Sequence, residues 1–102
     1  MEKTGKFIRN IPHSEICNIV DLVEYREGRV ESRTLAQGKN LSVTIFSFDK
    51  GEEISAHSSP GDALVQILDG EAEITIGQEK FRLKAGQMIV MPAGVPHALY
   101  AA

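Results

Sequence analysis

The stretch Gly86-Gln-Met-Ile-Val-Met-Pro92-Ala-Gly94-Val-Pro96-His97 decides how this chain is read. A turn glycine opens it and the apolar run Met88–Met91 follows. A rigid Pro-x-Gly-x-Pro turn then delivers a histidine to the start of the next apolar segment, His97-Ala-Leu-Tyr100. A short apolar run bounded by turn residues on both sides is a strand pattern, and one this continuous predicts a strand buried on both faces. From Ala85 to Ala102 there is no Asp, Glu, Lys or Arg. The two prolines, two glycines, Gln87 and His97 in that segment spoil a spanning helix, so it reads as a buried strand–turn–strand rather than a membrane span.

Working back from Gly86, strands continue. Glu71-Ala-Glu-Ile-Thr-Ile76 alternates, with Ala72, Ile74 and Ile76 on one face and Glu71, Glu73 and Thr75 on the other. Gly77-Gln-Glu79 is a hairpin turn, and Lys80-Phe-Arg-Leu83 returns from it. Ala63 to Leu68 is another strand, closed by Asp69-Gly70. Further upstream, Leu41 to Phe48 is rich in β-branched and aromatic residues, and Gln37-Gly-Lys-Asn40 joins it to a strand over Arg29–Leu35. Six or so short strands with frequent Gly and Pro turns predict an all-β barrel or sandwich, in one domain spanning residues 1–102. The N-terminal quarter is peripheral. There Ile16, Ile19, Val20 and Val23 fall at helical spacing behind Ser14 and Asn18, which favours a short helical turn over an edge strand.

Composition excludes several functions. The formal net charge is −3, and the 25% charged residues form no basic cluster of the kind a phosphate backbone requires, so nucleic acid is not expected as a partner. Cys17 is alone, which removes an intrachain disulfide and fits a reducing compartment. Met1-Glu-Lys-Thr-Gly-Lys6 leads into no continuous apolar run, so no secretory signal is read and the cytoplasm is the expected location. Cys17 lies in an apolar stretch and is expected to be inert packing. Ser58 and Ser59 follow His57, but no Gly-x-Ser-x-Gly elbow accompanies them, which argues against a hydrolase triad. Met88 and Met91 are expected as core filler. His13, between Pro12 and Ser14, is expected as an exposed loop residue. The chain stops at Tyr100-Ala-Ala102 directly out of an apolar strand. That ending suggests a missing strand, a truncation, or a sheet completed by a partner chain.

A second glycine–histidine block, Gly51-x5-His57, precedes the first and closes on Gly70. Together the two blocks resemble the paired motifs of the cupin superfamily, over residues 41–102. In that family the first motif is Gly, five residues, His-x-His, three or four residues, Glu, six residues, Gly. The second is Gly, five residues, Pro-x-Gly, two residues, His, three residues, Asn. Gly51, His57 and Gly70 match the first, and Gly86, Pro92, Gly94 and His97 match the second. The resemblance implies a small jelly-roll β-barrel whose strands aim both histidines inward.

The departures are specific. Ser59 stands at the family's second histidine, Ala63 at its glutamate and Ala101 at its asparagine. His57, Ser59 and Ala63 share a parity, so an unbroken strand would turn all three into the barrel. Of these and His97, only the two histidines are ligand types, whereas a first-row divalent ion prefers three or more N/O donors. Asp62 and Gln66 have the opposite parity and are expected to point outward; Glu52 and Glu53 reach only the rim. Each histidine also has a local alternative, His57 bonding the Ser58–Gly61 backbone and His97 closing the Pro92–Pro96 turn. The favoured expectation is a cavity lined by His57, Ser59, Ala63 and His97 that holds a small organic molecule. The alternative is a metal-dependent oxygenase or isomerase in which His57 and His97 hold Mn, Fe, Ni or Zn and water completes the coordination. A third is a regulatory or structural partner whose barrel is simply a core. The resemblance also implies a homodimer paired through sheet edges, as expected for a chain with apolar strands near its margins.

Overall fold

The computed structural model describes residues 7–102, so the reading of Met1 to Lys6 lies outside the described residues. The chain divides into two compact units, Met1–Asp49 and Lys50–Ala102. Both are built from strands, as the alternation of apolar and polar residues dictates, and no described helix is long and apolar enough to cross a membrane.

The first unit is a hairpin with a leading segment. β1 (Val30–Gln37) pairs antiparallel with β2 (Ser42–Phe48), with a register shift between Thr34 and Ala36. The carbonyl of Leu35, inside that irregularity, accepts the Arg9 N–H at 2.8 Å. Period-2 alternation buries Ile45 and Ser47 on one face of β2 and leaves Phe46 half exposed on the other. The buried Ser47 hydroxyl does not go unpaired, since it donates to the Glu24 carbonyl at 2.6 Å.

Upstream, the expected helical turn is present as a single 3-10 turn, Ile19–Leu22, with Asn18 at its N-cap position but no side-chain capping bond. The burying residue differs from the expected set. Leu22 is buried, whereas Ile16 is fully exposed and Ile19 and Val20 are about half exposed. One turn of helix is too short to present a stripe, so only one side chain can face inward. Cys17 is exposed rather than packed, and it precedes the turn. His13 is exposed as expected, with its Nε2 2.8 Å from the Ile8 carbonyl oxygen.

The second unit carries six strands. β3 (Glu53–His57), β8 (His97–Ala101), β5 (Glu71–Ile76) and β6 (Glu79–Lys84) form an antiparallel sheet in that order. β4 (Ala63–Gln66) and β7 (Met88–Met91) form a separate two-stranded ribbon. The expected faces of β5 are observed. Ala72, Ile74 and Ile76 lie opposite Leu83, Phe81 and Glu79 on β6, and opposite Ala101, Leu99 and His97 on β8. Ile74 is fully buried and forms the centre of the core with Leu83 and Met91, against which Val65, Ile89 and Leu99 pack. Burying a side chain of this size contributes about 1.5–3 kcal/mol. The opposite face of the sheet is polar, with Arg82 bonded to Glu71 at 3.0 Å and Lys80 beside Glu73 at 3.7 Å. Between β5 and β6 the loop is two residues, and Gly77 at its first position supplies the positive φ of 61° that a tight hairpin needs.

Two strand readings need correction. Met88–Met91 is buried on one face only. Met91 is buried at 5% exposure, but Met88 and Val90 stand at 54% and 50%. The ribbon contributes Ala63, Val65, Ile89 and Met91 to one side, and its other side, with Leu64 opposite Val90, is exposed. An apolar run therefore did not signal two-sided burial here. In addition, the path from His57 to Ala63 is not one strand. β3 ends at His57, residues 58–62 form a loop, and β4 starts at Ala63 in the other sheet. Strand parity therefore does not fix where His57, Ser59 and Ala63 face relative to one another.

Candidate functional site: a histidine pair across two strands

β3 and β8 run antiparallel, and His57 lies directly opposite His97. That partnership depends on an irregularity. Ile54 pairs with Leu99, and three residues later His57 pairs with His97, only two residues back along β8. β3 thus carries one residue more than its partner, the signature of a β-bulge. In a regular ladder Ala56 would lie opposite His97, and Ile54 and His57 would point to opposite faces. The bulge across Ser55 and Ala56 turns His57 onto the face shared by Ile54, Leu99 and His97.

The two imidazoles meet edge to face, with ring centroids 4.4 Å apart and planes at 70°. They differ in setting, since His97 is 4% exposed and His57 stands out in solvent. Each is tethered in the same manner. His57 Nδ1 lies 3.0 Å from the Ser55 carbonyl oxygen, and His97 Nδ1 lies at a longer 3.3 Å from the Val95 carbonyl oxygen. A carbonyl only accepts, so both Nδ1 atoms donate, and in the neutral rings Nε2 is left as the acceptor. Among the described residues no buried side-chain N or O lacks a partner. Among the described residues His97 Nε2 has no hydrogen-bond partner, so it is not fully buried. The local alternative expected for His97 is therefore realised in part, since its ring bonds into the Pro92–Pro96 turn. His57 bonds back to the bulge rather than to the 58–61 loop.

The remaining predicted residues follow His57 along the chain, outside β3. Ser59 is half-buried in the loop, where its hydroxyl donates to the Gly61 carbonyl at 2.9 Å. Ala63 starts β4 and packs against the core. Asp62, which strand parity turned outward, lies on the loop, and its Oδ1 accepts the Ala93 N–H at 2.8 Å. The nearest sequence signal for that role is the turn-forming composition of Ser58-Ser-Pro-Gly-Asp62. The bulge has no comparable signal. An open groove of about 420 Å³ lies elsewhere in this unit, lined by Phe81, Arg82, Leu83, Gln87, Met88 and Ile89, and includes neither histidine.

These positions can be set against known proteins. A family model described as a cupin domain matches residues 44–102. This chain belongs to the cupin family. Its fold is similar to that of a conserved protein of unknown function from Streptococcus pyogenes, at 54% identity, covering 95% of this chain and 85% of that one, with a TM-score of 0.91. A cupin superfamily protein from Desulfitobacterium hafniense is 35% identical over 92% of this chain and 86% of its own, with a TM-score of 0.88. An uncharacterised protein of Streptomyces coelicolor is 31% identical over 62 residues, which is 61% of this chain and 59% of that protein's length. The expected all-β cupin jelly-roll class therefore holds, although the ladders of the second unit form an open sheet and a ribbon rather than a closed barrel.

The donor set does not fit the divalent metal that a four-ligand cupin carries. No group of three His, Cys, Asp or Glu side chains comes together among the described residues. The Ser59 hydroxyl and the Asp62 carboxylate oxygen are engaged with backbone groups, and Ala63 offers no donor. Two imidazoles alone fall short of the three or more protein donors usual for first-row divalent ions.

Proposed function

We propose that this cupin binds a small organic molecule at the His57–His97 pair, with the two imidazoles as hydrogen-bond acceptors. The observation that carries this reading is the tethering of both Nδ1 atoms to backbone carbonyls, which frees both Nε2 lone pairs. Rings held in that way are pre-organised, so little side-chain entropy remains to be lost on binding. The favoured ligand presents hydrogen-bond donors, such as adjacent hydroxyl groups, beside an apolar body that contacts the aliphatic rows of Ile54 and Ile76. Both residues lie on the same sheet face as the histidines.

The test is a thermal-shift panel of diols, phenols and sugars, with catechol as the first probe. The reading expects a saturable stabilisation in the wild-type protein that is lost in both His57→Ala and His97→Ala. A stabilisation that survives both substitutions would place the ligand elsewhere and end this reading. The protein is further proposed to act in the cytoplasm as a homodimer. Light scattering at high micromolar concentration checks the dimer, and a clean monomer would refute it.

A further inference from the structure

The two histidines sit at the inner ends of two neighbouring connections between the sheets. Residues 58–62 carry the chain from β3 to β4, and residues 92–96 carry it back from β7 to β8. Their ends are in register, His57 opposite His97 in one sheet and Ala63 opposite Met91 in the other. No strand ladder bridges the gap between these two pairs. Two hydrogen bonds do, both at 2.8 Å, from Gly94 N–H to the Ser59 carbonyl and from Ala93 N–H to Asp62 Oδ1.

From this arrangement we propose that Asp62 is a positioning residue, whose carboxylate clamps the 58–62 loop onto the 92–96 turn and so holds His57 edge-on to His97. It deepens the ligand reading above and rests on it for its functional consequence. Of the two stitches, only this one is made by a side chain, so it is the one that a substitution can remove. A carboxylate accepting a backbone N–H makes a charge-assisted bond, stronger than the neutral bond beside it. His57 needs such help because it is exposed, ends its strand and follows a bulge, so little packing fixes its ring. His97 is buried and needs less. Loss of the clamp therefore frees one ring of the pair and leaves the other in place.

The test compares Asp62→Ala, Asp62→Asn and, as a control at the exposed first residue of β6, Glu79→Ala. The first readout is independent of any ligand and consists of the ring-to-ring nuclear Overhauser effect between His57 and His97, with the 15N signature of the Nδ1–H tautomer. Asp62→Ala is expected to abolish the effect and average the His57 tautomer while the backbone amide spectrum stays folded. Asp62→Asn, whose amide oxygen can still accept from Ala93, is expected to restore both, and Glu79→Ala to change neither. The second readout is catechol affinity, expected to weaken about 2- to 10-fold in Asp62→Ala, the cost of immobilising one freed side chain on binding. An unchanged ring contact in Asp62→Ala would overturn the proposal. Should that variant fail to fold, two observations decide. Fast hydrogen exchange of the Ala93 amide in the wild-type protein, or a failed Asn rescue, would overturn the clamp. Absence of catechol binding in the wild-type protein counts against the ligand reading alone, since the ring contact still reports on Asp62.

Discussion

His57 and His97 face each other across one antiparallel pair, yet the two sides are held by different means. On the β8 side, a rigid Pro92–Pro96 turn with Gly94 at a φ of 75° feeds a histidine that lies buried beside Ile76, close to the Ile74 core. On the β3 side, a bulged strand end presents an exposed histidine, followed by a loop fastened through Ser59 and Asp62. The difference teaches that one member of the pair is fixed by packing and the other by hydrogen bonds. Packing is costly to disturb and tolerates no loss of volume. A hydrogen-bonded loop is cheap to disturb and can move without unfolding the sheet.

The strongest way to break that comparison is to remove the core beneath the β8 side. Ile74→Ala is expected to destabilise the protein by about 2–5 kcal/mol in urea denaturation, the cost of an unfilled cavity at a fully buried site. An effect below about 1 kcal/mol would mean that the centre of the core lies elsewhere. The pair itself comes next. His97→Ala should cost about 1–3 kcal/mol, whereas His57→Ala should stay within about 0.5 kcal/mol, because one ring is buried and the other is not. Equal costs would erase the asymmetry. The turns give a smaller contrast. Gly94→Ala forces an L side chain into the left-handed region at a cost of about 1–2 kcal/mol. Ser59→Ala, which removes one local hydroxyl bond, should cost about 0.5–1.5 kcal/mol at most.

The same asymmetry explains how far the site could be read in advance. The β8 side was legible because each of its devices has a residue signature. Gly86, Pro92 and Gly94 announce turns, Met88–Met91 announces a strand, and His97 follows at a fixed step. The alternation of β5 likewise fixed its inward face, down to Ile74. The β3 side was legible only in its histidine. A bulge depends on which register satisfies the ladder as a whole, and nothing about Ser55 or Ala56 advertises one. Strand parity does not carry through residues 58–62, so it cannot say where Ser59, Asp62 and Ala63 face. The chain instead leaves the sheet there and uses Asp62 as a tie. One-sided exposure of Met88 and Val90 escaped for a related reason, since an apolar run states what a strand is made of and not how many layers cover it.

We propose the His57–His97 pair as a two-imidazole site for an organic ligand rather than the remnant of a working metal centre. Metal content, measured by inductively coupled plasma mass spectrometry on tag-free protein never exposed to a nickel column, tests that claim most directly. A two-imidazole organic site gives a mixture of metals well below one equivalent, unchanged in His57→Ala and His97→Ala. One equivalent of a single metal, lost in both variants, would contradict it.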